Sequence, residues 1–297
     1  MSIVEEPHAA NQELSRGRLF ILVSALLWSL AGVFIKSLEL HPLTIVFYRS
    51  LFASLFFFLL VKKKSRTVNI PLLISVLSYT AAISSFVSAN KLTTAANAIV
   101  LQYTAPIFVF IFARLLFREA ISKLNLATLL AGTVGVGIIF AGSAGQPDIR
   151  GVGVAILSGL FFSIYMTNLR FLKQVDPAYL TLANNLACCV VLLPWVQSHL
   201  ILSLRETLTL GVMGVVQLGI PYFLFSKGLG KISLQEASLI VLIEPVLNPV
   251  WVALAFGEIP SRATLIGGGV ILLSLGFHYA WLWIRRSREI AVSGGNW

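Results

Sequence analysis

Charge is rare in this 297-residue chain, and two charged side chains lie deepest inside apolar stretches: Arg49 in IVFYRSLFASLFFFLL and Glu244 in LIVLIEPVLNPVWVALAF. A carboxylate in such surroundings can receive an ammonium group or carry a proton, and a guanidinium can hold a carboxylate. Each also has a structural reading. Glu244 can belong to a hydrogen-bonded network beside Pro245 and Pro249, prolines that free backbone carbonyls, and Arg49 can be a packing contact or a ligand for helix-end carbonyls. Asn248 follows Glu244 by one helical turn, on the same face. Tyr79, Ile83, Phe86 and Asn90 are spaced four, three and four apart and share one helical stripe; Phe161, Tyr165 and Asn168 form a second. Asn97, Gln102 and Tyr103 precede Pro106, and Gln217 precedes Pro221 and Tyr222. Trp28, Tyr79, Phe161, Phe162, Tyr165 and Tyr222 thus offer an adaptable apolar wall, while Asn97, Gln217, Glu244 and Asn248 can meet the charged ends of a small zwitterion. Helix packing and interhelical hydrogen bonds are the competing reading for each of them.

Other chemistries lack their parts. The sequence has no H-E-x-x-H, no G-x-S-x-G and no G-x-x-x-x-G-K-[ST], and its four histidines, His8, His41, His199 and His278, fall at tails or near the ends of apolar runs. The two cysteines, Cys188 and Cys189, are adjacent within an apolar stretch, so neither a disulfide framework nor a cysteine-ligated zinc is expected. We therefore expect no enzyme, no cofactor and no metal. Without a phosphate-binding loop, any work done by this chain draws on a solute or ion gradient.

The elements that position these residues follow from composition. Only 11% of residues are Asp, Glu, Lys or Arg, 57% are apolar, and the mean hydropathy is +0.88. A soluble domain carries about 25% charged residues, so this chain is an integral membrane protein. A spanning helix needs about 20 mainly apolar residues. Such runs fall near 18–38, 43–61, 70–90, 94–115, 124–142, 151–172, 178–197, 208–228, 234–256 and 263–284, which predicts ten transmembrane helices and an all-α fold. The net charge of +10 is not gathered as in a nucleic-acid binder. With the N-terminus in the cytoplasm, sixteen basic residues fall on the inner side and five on the outer, which places both termini inside.

The halves repeat. Pro106, Phe117, Glu119 and Ser122 recur at an offset of 139 as Pro245, Phe256, Glu258 and Ser261. Gly17, Ser24, Ser29 and Lys36 recur at 134 as Gly151, Ser158, Ser163 and Arg170, and Trp28 corresponds to Phe162 at that offset. The expected organisation is a tail at 1–16, a first five-helix repeat at 17–142, an external linker at 143–150, a second repeat at 151–285 and a tail at 286–297. Five is odd, so the second repeat enters the bilayer from the opposite side. Inverted repeats suit alternating access, because the two copies can exchange conformations. Glu119 and Glu258 are expected at the positive ends of the fifth and tenth helices. Gly132, Gly135, Gly137, Gly267, Gly268, Gly269 and Gly276 suit close packing of those two helices, or a homodimer contact through them.

The segment P-x12-E followed by S-x9-G, from Pro106 through Glu119 and Ser122 to Gly132, resembles the first EamA repeat of the drug/metabolite transporter superfamily. The stretch EPVLNPVWVALAFGEIPSRATLIGGGVILLS, from Glu244 to Ser274, resembles the second. LLWSLAGVFIK and the pair Tyr48 and Arg49 suit the same family, and the resemblance covers about residues 17 to 285. It is greatest to amino-acid exporters of the YddG type, and it implies ten helices in two inverted repeats, a bacterial inner-membrane location, and amino acids as cargo with broad specificity that includes aromatic and apolar side chains. Carriage of other small metabolites or drugs is the alternative; nucleotide sugars fit less well, since Arg49 alone offers a cation for phosphate within the bilayer. The resemblance also places Arg49 at a common arginine of the second helix, which favours its structural reading. Ala105 stands where the second repeat has Glu244, so any role of that acid rests on one half.

Overall fold

The computed structural model describes residues 5–61, 68–118, 122–143, 148–172, 174–196, 201–229, 231–232, 237 and 240–293, with side chains described for these except 5–11, 106, 110, 113, 117, 143, 226, 229 and 286–293. Ten helical segments follow one another: α1 (Gln12–Ser37), α2 (Pro42–Leu60), α3 (Ile70–Leu92), α4 (Ala95–Leu116), α5 (Lys123–Gly142), α6 (Ile149–Phe171), α7 (Pro177–Val196), α8 (Leu204–Phe225), α9 (Ile243–Phe256) and α10 (Arg262–Arg285). Among the described residues, nine of these are long and apolar enough to cross a bilayer, and α9 is shorter. The run read at 234–256 begins on residues outside the described set, so α9 is its latter part. The chain is an all-helical, multi-span membrane protein.

Helix starts carry side-chain caps. Asn69 accepts from Leu72 N at 2.9 Å ahead of α3, Thr94 from Asn97 N at 3.1 Å ahead of α4, and Ser203 forms a capping box with Glu206 ahead of α8. The repeated serines have the same job: Ser122 accepts from Asn125 N and Ser261 from Thr264 N, each at 3.1 Å, at the starts of α5 and α10. Glu258 therefore does not serve α10 as its place in the sequence suggests. Its carboxylate accepts from Ala95 N at 2.6 Å, at the start of α4. Glu119 lies outside the described residues.

Interruptions recur at equivalent places. α4 breaks at a turn over Tyr103 and Thr104, and a turn at Leu242 precedes α9; Tyr103 and Leu242 are 139 apart, each three residues before a repeated proline. A proline brings no N–H to the ladder and disfavours helical backbone before it. The ends match too, since Arg118 (φ 54°) and Gly257 (φ 68°), again 139 apart, both turn left-handed after their helices. In α8 a wide π turn, Met213–Gly219, stands ahead of Pro221. α1 is interrupted at Leu30, where the Ser29 hydroxyl donates back to Leu26 O at 2.7 Å; Ser163 donates to Leu160 O at 2.6 Å in the same way.

Packing exchanges the first helix of each unit. α6 lies along α3 and α4 of the first unit, and α1 lies along α8 and α9 of the second. Ser158 of α6 donates to Ala82 O of α3 at 3.0 Å, and Ser24 of α1 donates to Pro221 O of α8 at 2.9 Å, so serines 134 apart meet carbonyls 139 apart. Gly151 and Gly17 mark matching close approaches: a Cβ would come within 2.6 Å of Thr93 at the first and 2.8 Å of Ile232 at the second. Three further pairings, α2 with α7, α4 with α9 and α5 with α10, join each helix to its own counterpart. α5 and α10 meet through their glycines, and a Cβ on Gly135 would lie 2.6 Å from Gly267 O. Thr128 and His278 Nδ1 are 3.0 Å apart across this contact, so His278 is a buried residue two turns inside α10, and not a residue of the helix end.

Candidate functional site

The site holds two aromatic clusters, and Tyr222 of the second interacts electrostatically with Tyr79 and Tyr165 of the first. In the first, Tyr79 of α3 and Tyr165 of α6 have ring centroids 5.5 Å apart, and Phe162 stacks on Tyr165 at 6.0 Å. α7 fixes both phenols: Tyr79 donates its hydroxyl to Asn185 Oδ1 at 3.2 Å, and Asn184 Nδ2 donates to the Tyr165 oxygen at 3.5 Å. The amides are held in turn, since Ser75 donates to Asn184 Oδ1 at 3.0 Å and Asn185 Nδ2 donates to Thr181 O at 2.9 Å. In the second cluster, Trp28 of α1 meets Tyr222 and Phe225 of α8 at 5.2 Å each. Gln217, carried on the π turn, donates to Trp28 O at 3.4 Å.

Polar groups border these rings. Tyr103 of α4 donates to Glu244 Oε2 of α9 at 2.9 Å and also lies 3.3 Å from Val241 O. That carbonyl stands four residues before Pro245, the position whose helical partner the proline cannot be. Tyr222 interacts electrostatically with Glu244 and with Arg49, and Tyr79 interacts with Tyr222 and Arg49. Arg49 is buried, 3% exposed, at the point where Gly214 of the π turn packs so tightly on α2 that a Cβ would come within 2.6 Å of Arg49 O.

Of the ten side chains read as a site, Trp28, Tyr79, Phe162, Tyr165, Gln217, Tyr222 and Glu244 are brought together in this way. Asn248 is fully buried one turn beyond Glu244, beside Gly32 of α1, with neither side-chain atom hydrogen-bonded among the described residues. Phe161 is half-buried and has no ring partner among the described residues. Asn97 stands apart: it donates to Thr93 Oγ1 at 2.9 Å and Asp148 Oδ2 at 3.3 Å and accepts from Thr264 at 2.7 Å, in a polar knot at the helix ends. Lys36 completes that knot by pairing with Glu258 at 2.6 Å and donating to Thr93 O at 3.0 Å. Asn184 and Asn185 were not singled out from the sequence. Two consecutive buried amides in the middle of the apolar run 178–197 were the available signal, since such groups need partners within the bilayer.

The chain matches the EamA-like transporter family model twice, over residues 15–141 and 149–279. It is 28% identical over 262 residues to an uncharacterized transporter of Archaeoglobus fulgidus, covering 86% of this chain and 93% of that one. An uncharacterized transporter of Clostridium kluyveri is 22% identical over 292 residues, covering 90% and 94%. A solved crystal structure superposes with a TM-score of 0.66 at 18% identity, covering 90% of this chain and 98% of that one, a likeness of fold.

Proposed function

Since the chain belongs to the EamA-like transporter family, we propose that it exports amino acids of several kinds, aromatic and apolar ones included, by alternating access. The observation that carries this reading is the pair of aromatic clusters, with Tyr222 interacting electrostatically with the first cluster, with the partly buried acid Glu244 and with the buried cation Arg49. In this reading the rings of Trp28, Tyr79, Phe162, Tyr165 and Tyr222 line a central cavity that receives varied side chains, and Phe161 lies at its margin. Gln217, Glu244 and Asn248 meet the polar ends of the solute, and Asn97 acts at one mouth of the path. An aromatic wall tolerates changes of side chain because each methylene is worth only about 0.8 kcal/mol.

Two units at 17–142 and 151–285, inverted in the bilayer with short cytoplasmic tails and a linker on the far side, give the protein two related conformations. The sixteen-to-five distribution of basic residues supports that orientation, in a bacterial inner membrane. The interleaved packing supports a motion of α3, α4 and α6 against α1, α8 and α9. Carriage of other small metabolites is the second reading, favoured if the cavity's aromatic wall matters more than its charged flanks. Counterflow in liposomes decides: purified protein preloaded with unlabelled phenylalanine is expected to accumulate labelled phenylalanine, leucine and tyrosine but not a nucleotide sugar. Failure to exchange any amino acid sinks the reading.

A further inference from the structure

Arg49 is a buried cation in the middle of α2 with no ion pair among the described residues. The phenols of Tyr79 on α3 and Tyr222 on α8 and the thiol of Cys188 on α7 interact with it electrostatically. Its Nε has no hydrogen-bond partner, and no carboxylate pairs with it, among the described residues. Helix-end carbonyls do not account for it, because it lies seven residues inside Pro42–Leu60. A guanidinium held within a bilayer and left uncompensated is strongly unfavourable, and its planar fork matches a carboxylate. Glu244, which interacts electrostatically with the same Tyr222, is already engaged by Tyr103.

We infer that Arg49 is the receptor for the carboxylate of the transported solute. This rests on the transport reading and gives it a polarity: the carboxylate turns toward α2 and the amino group toward α9. One cation and one acid that interact with the same phenol suit a zwitterion. A phosphate dianion would face Glu244 with no second cation among the described groups of the cluster.

A matched series tests this on the wild-type protein: unlabelled phenylalanine, its decarboxylated amine phenethylamine, and its deaminated acid 3-phenylpropionate compete against labelled phenylalanine in counterflow. Phenethylamine is expected to compete at least tenfold more weakly than phenylalanine. Arg49→Gln is expected to remove that discrimination and Arg49→Lys to retain part of it, both checked for folding by thermal melting. Equal competition by phenethylamine and phenylalanine in the wild type overturns the inference while leaving the transport reading intact. A binding readout separates the opposite case. Thermal stabilisation of the detergent-solubilised wild type by 3-phenylpropionate and not by 3-phenylpropanol supports the Arg49 receptor even where no amino acid exchanges, and equal responses to both overturn it.

Discussion

At the scale of residues, the Tyr103 hydroxyl carries one hydrogen and lies within reach of two acceptors, Glu244 Oε2 at 2.9 Å and Val241 O at 3.3 Å. Both are satisfied together only when Glu244 brings a proton of its own, donating to Tyr103 while Tyr103 donates to Val241. The phenol thereby ties α4 to the start of α9 and couples that tie to the state of the acid. Tyr103→Phe leaves two partly buried acceptors without that donor and is expected to destabilise the protein by about 1 kcal/mol, read as a lower melting temperature in detergent. Combined with Glu244→Gln, the loss is expected to fall short of the sum of the single losses by at least about 0.5 kcal/mol, because both substitutions break one link. Strict additivity would show that the two side chains act separately. Glu244 was legible in the sequence as a deep charge beside prolines that free carbonyls. Its partner was not, because Tyr103 lies 141 residues away and no local pattern reports which helix crosses at that depth. Asn184 and Asn185 illustrate the converse, visible in type but with partners on α3 and α6 that only the packing reveals.

Elements were more legible than contacts, since length, hydropathy and prolines act locally. The apolar runs located the helical segments, and Pro106 and Pro245 marked the two breaks, whereas the left-handed turn at Arg118 carried no glycine to announce it. The glycines of α5 and α10 indicated close packing, but only the structure separates those in contact from those facing outward. A Cβ on Gly135 would lie 2.6 Å from Gly267 O, and one on Gly267 would lie 2.5 Å from Gly135 O; around Gly137 nothing lies within 4 Å. Backbone oxygens cannot swing aside as a flexible side chain can. Gly135→Ala and Gly267→Ala are each expected to cost about 1–3 kcal/mol, whereas Gly137→Ala is expected to stabilise slightly through helix propensity, by up to about 1 kcal/mol. Melting curves of the three variants check this, and a Gly135→Ala protein as stable as Gly137→Ala would refute the register of the α5–α10 contact.

For the whole molecule, the repeated residues turn out to be the points where the units interlock. Ser24, Ser158, Gly17 and Gly151 each reach into the opposite half, so the duplicated sequence does not delimit two bodies that move apart. The bodies defined by contact are mixed: α3, α4 and α6 on one side, α1, α8 and α9 on the other. At the end of the bundle that bears Lys36, polar ties cross between them. Lys36 at the end of α1 pairs with Glu258 beyond α9 and donates to Thr93 O beyond α3, Lys91 donates to Leu38 O, and Glu258 accepts from Ala95 N at the start of α4. With Lys36 and Glu258 both partly shielded from solvent, this ion pair exceeds the value of a fully exposed one. In the alternating-access reading proposed above, the tie holds that end shut, and weakening it shifts the population toward the conformation open there. Glu258→Gln keeps an acceptor for Ala95 N and removes only the charge, a change of about 1 kcal/mol or about fivefold in the equilibrium. In a Cys188→Ala, Cys189→Ala background, a cysteine introduced at Tyr222 is expected to react about fivefold faster with a membrane-impermeant thiol reagent supplied from the Lys36 side once Glu258→Gln is added. Reaction from the other side is expected to slow or stay level. An unchanged rate from the Lys36 side would mean that the Lys36–Glu258 pair is a helix-end contact and does not govern access.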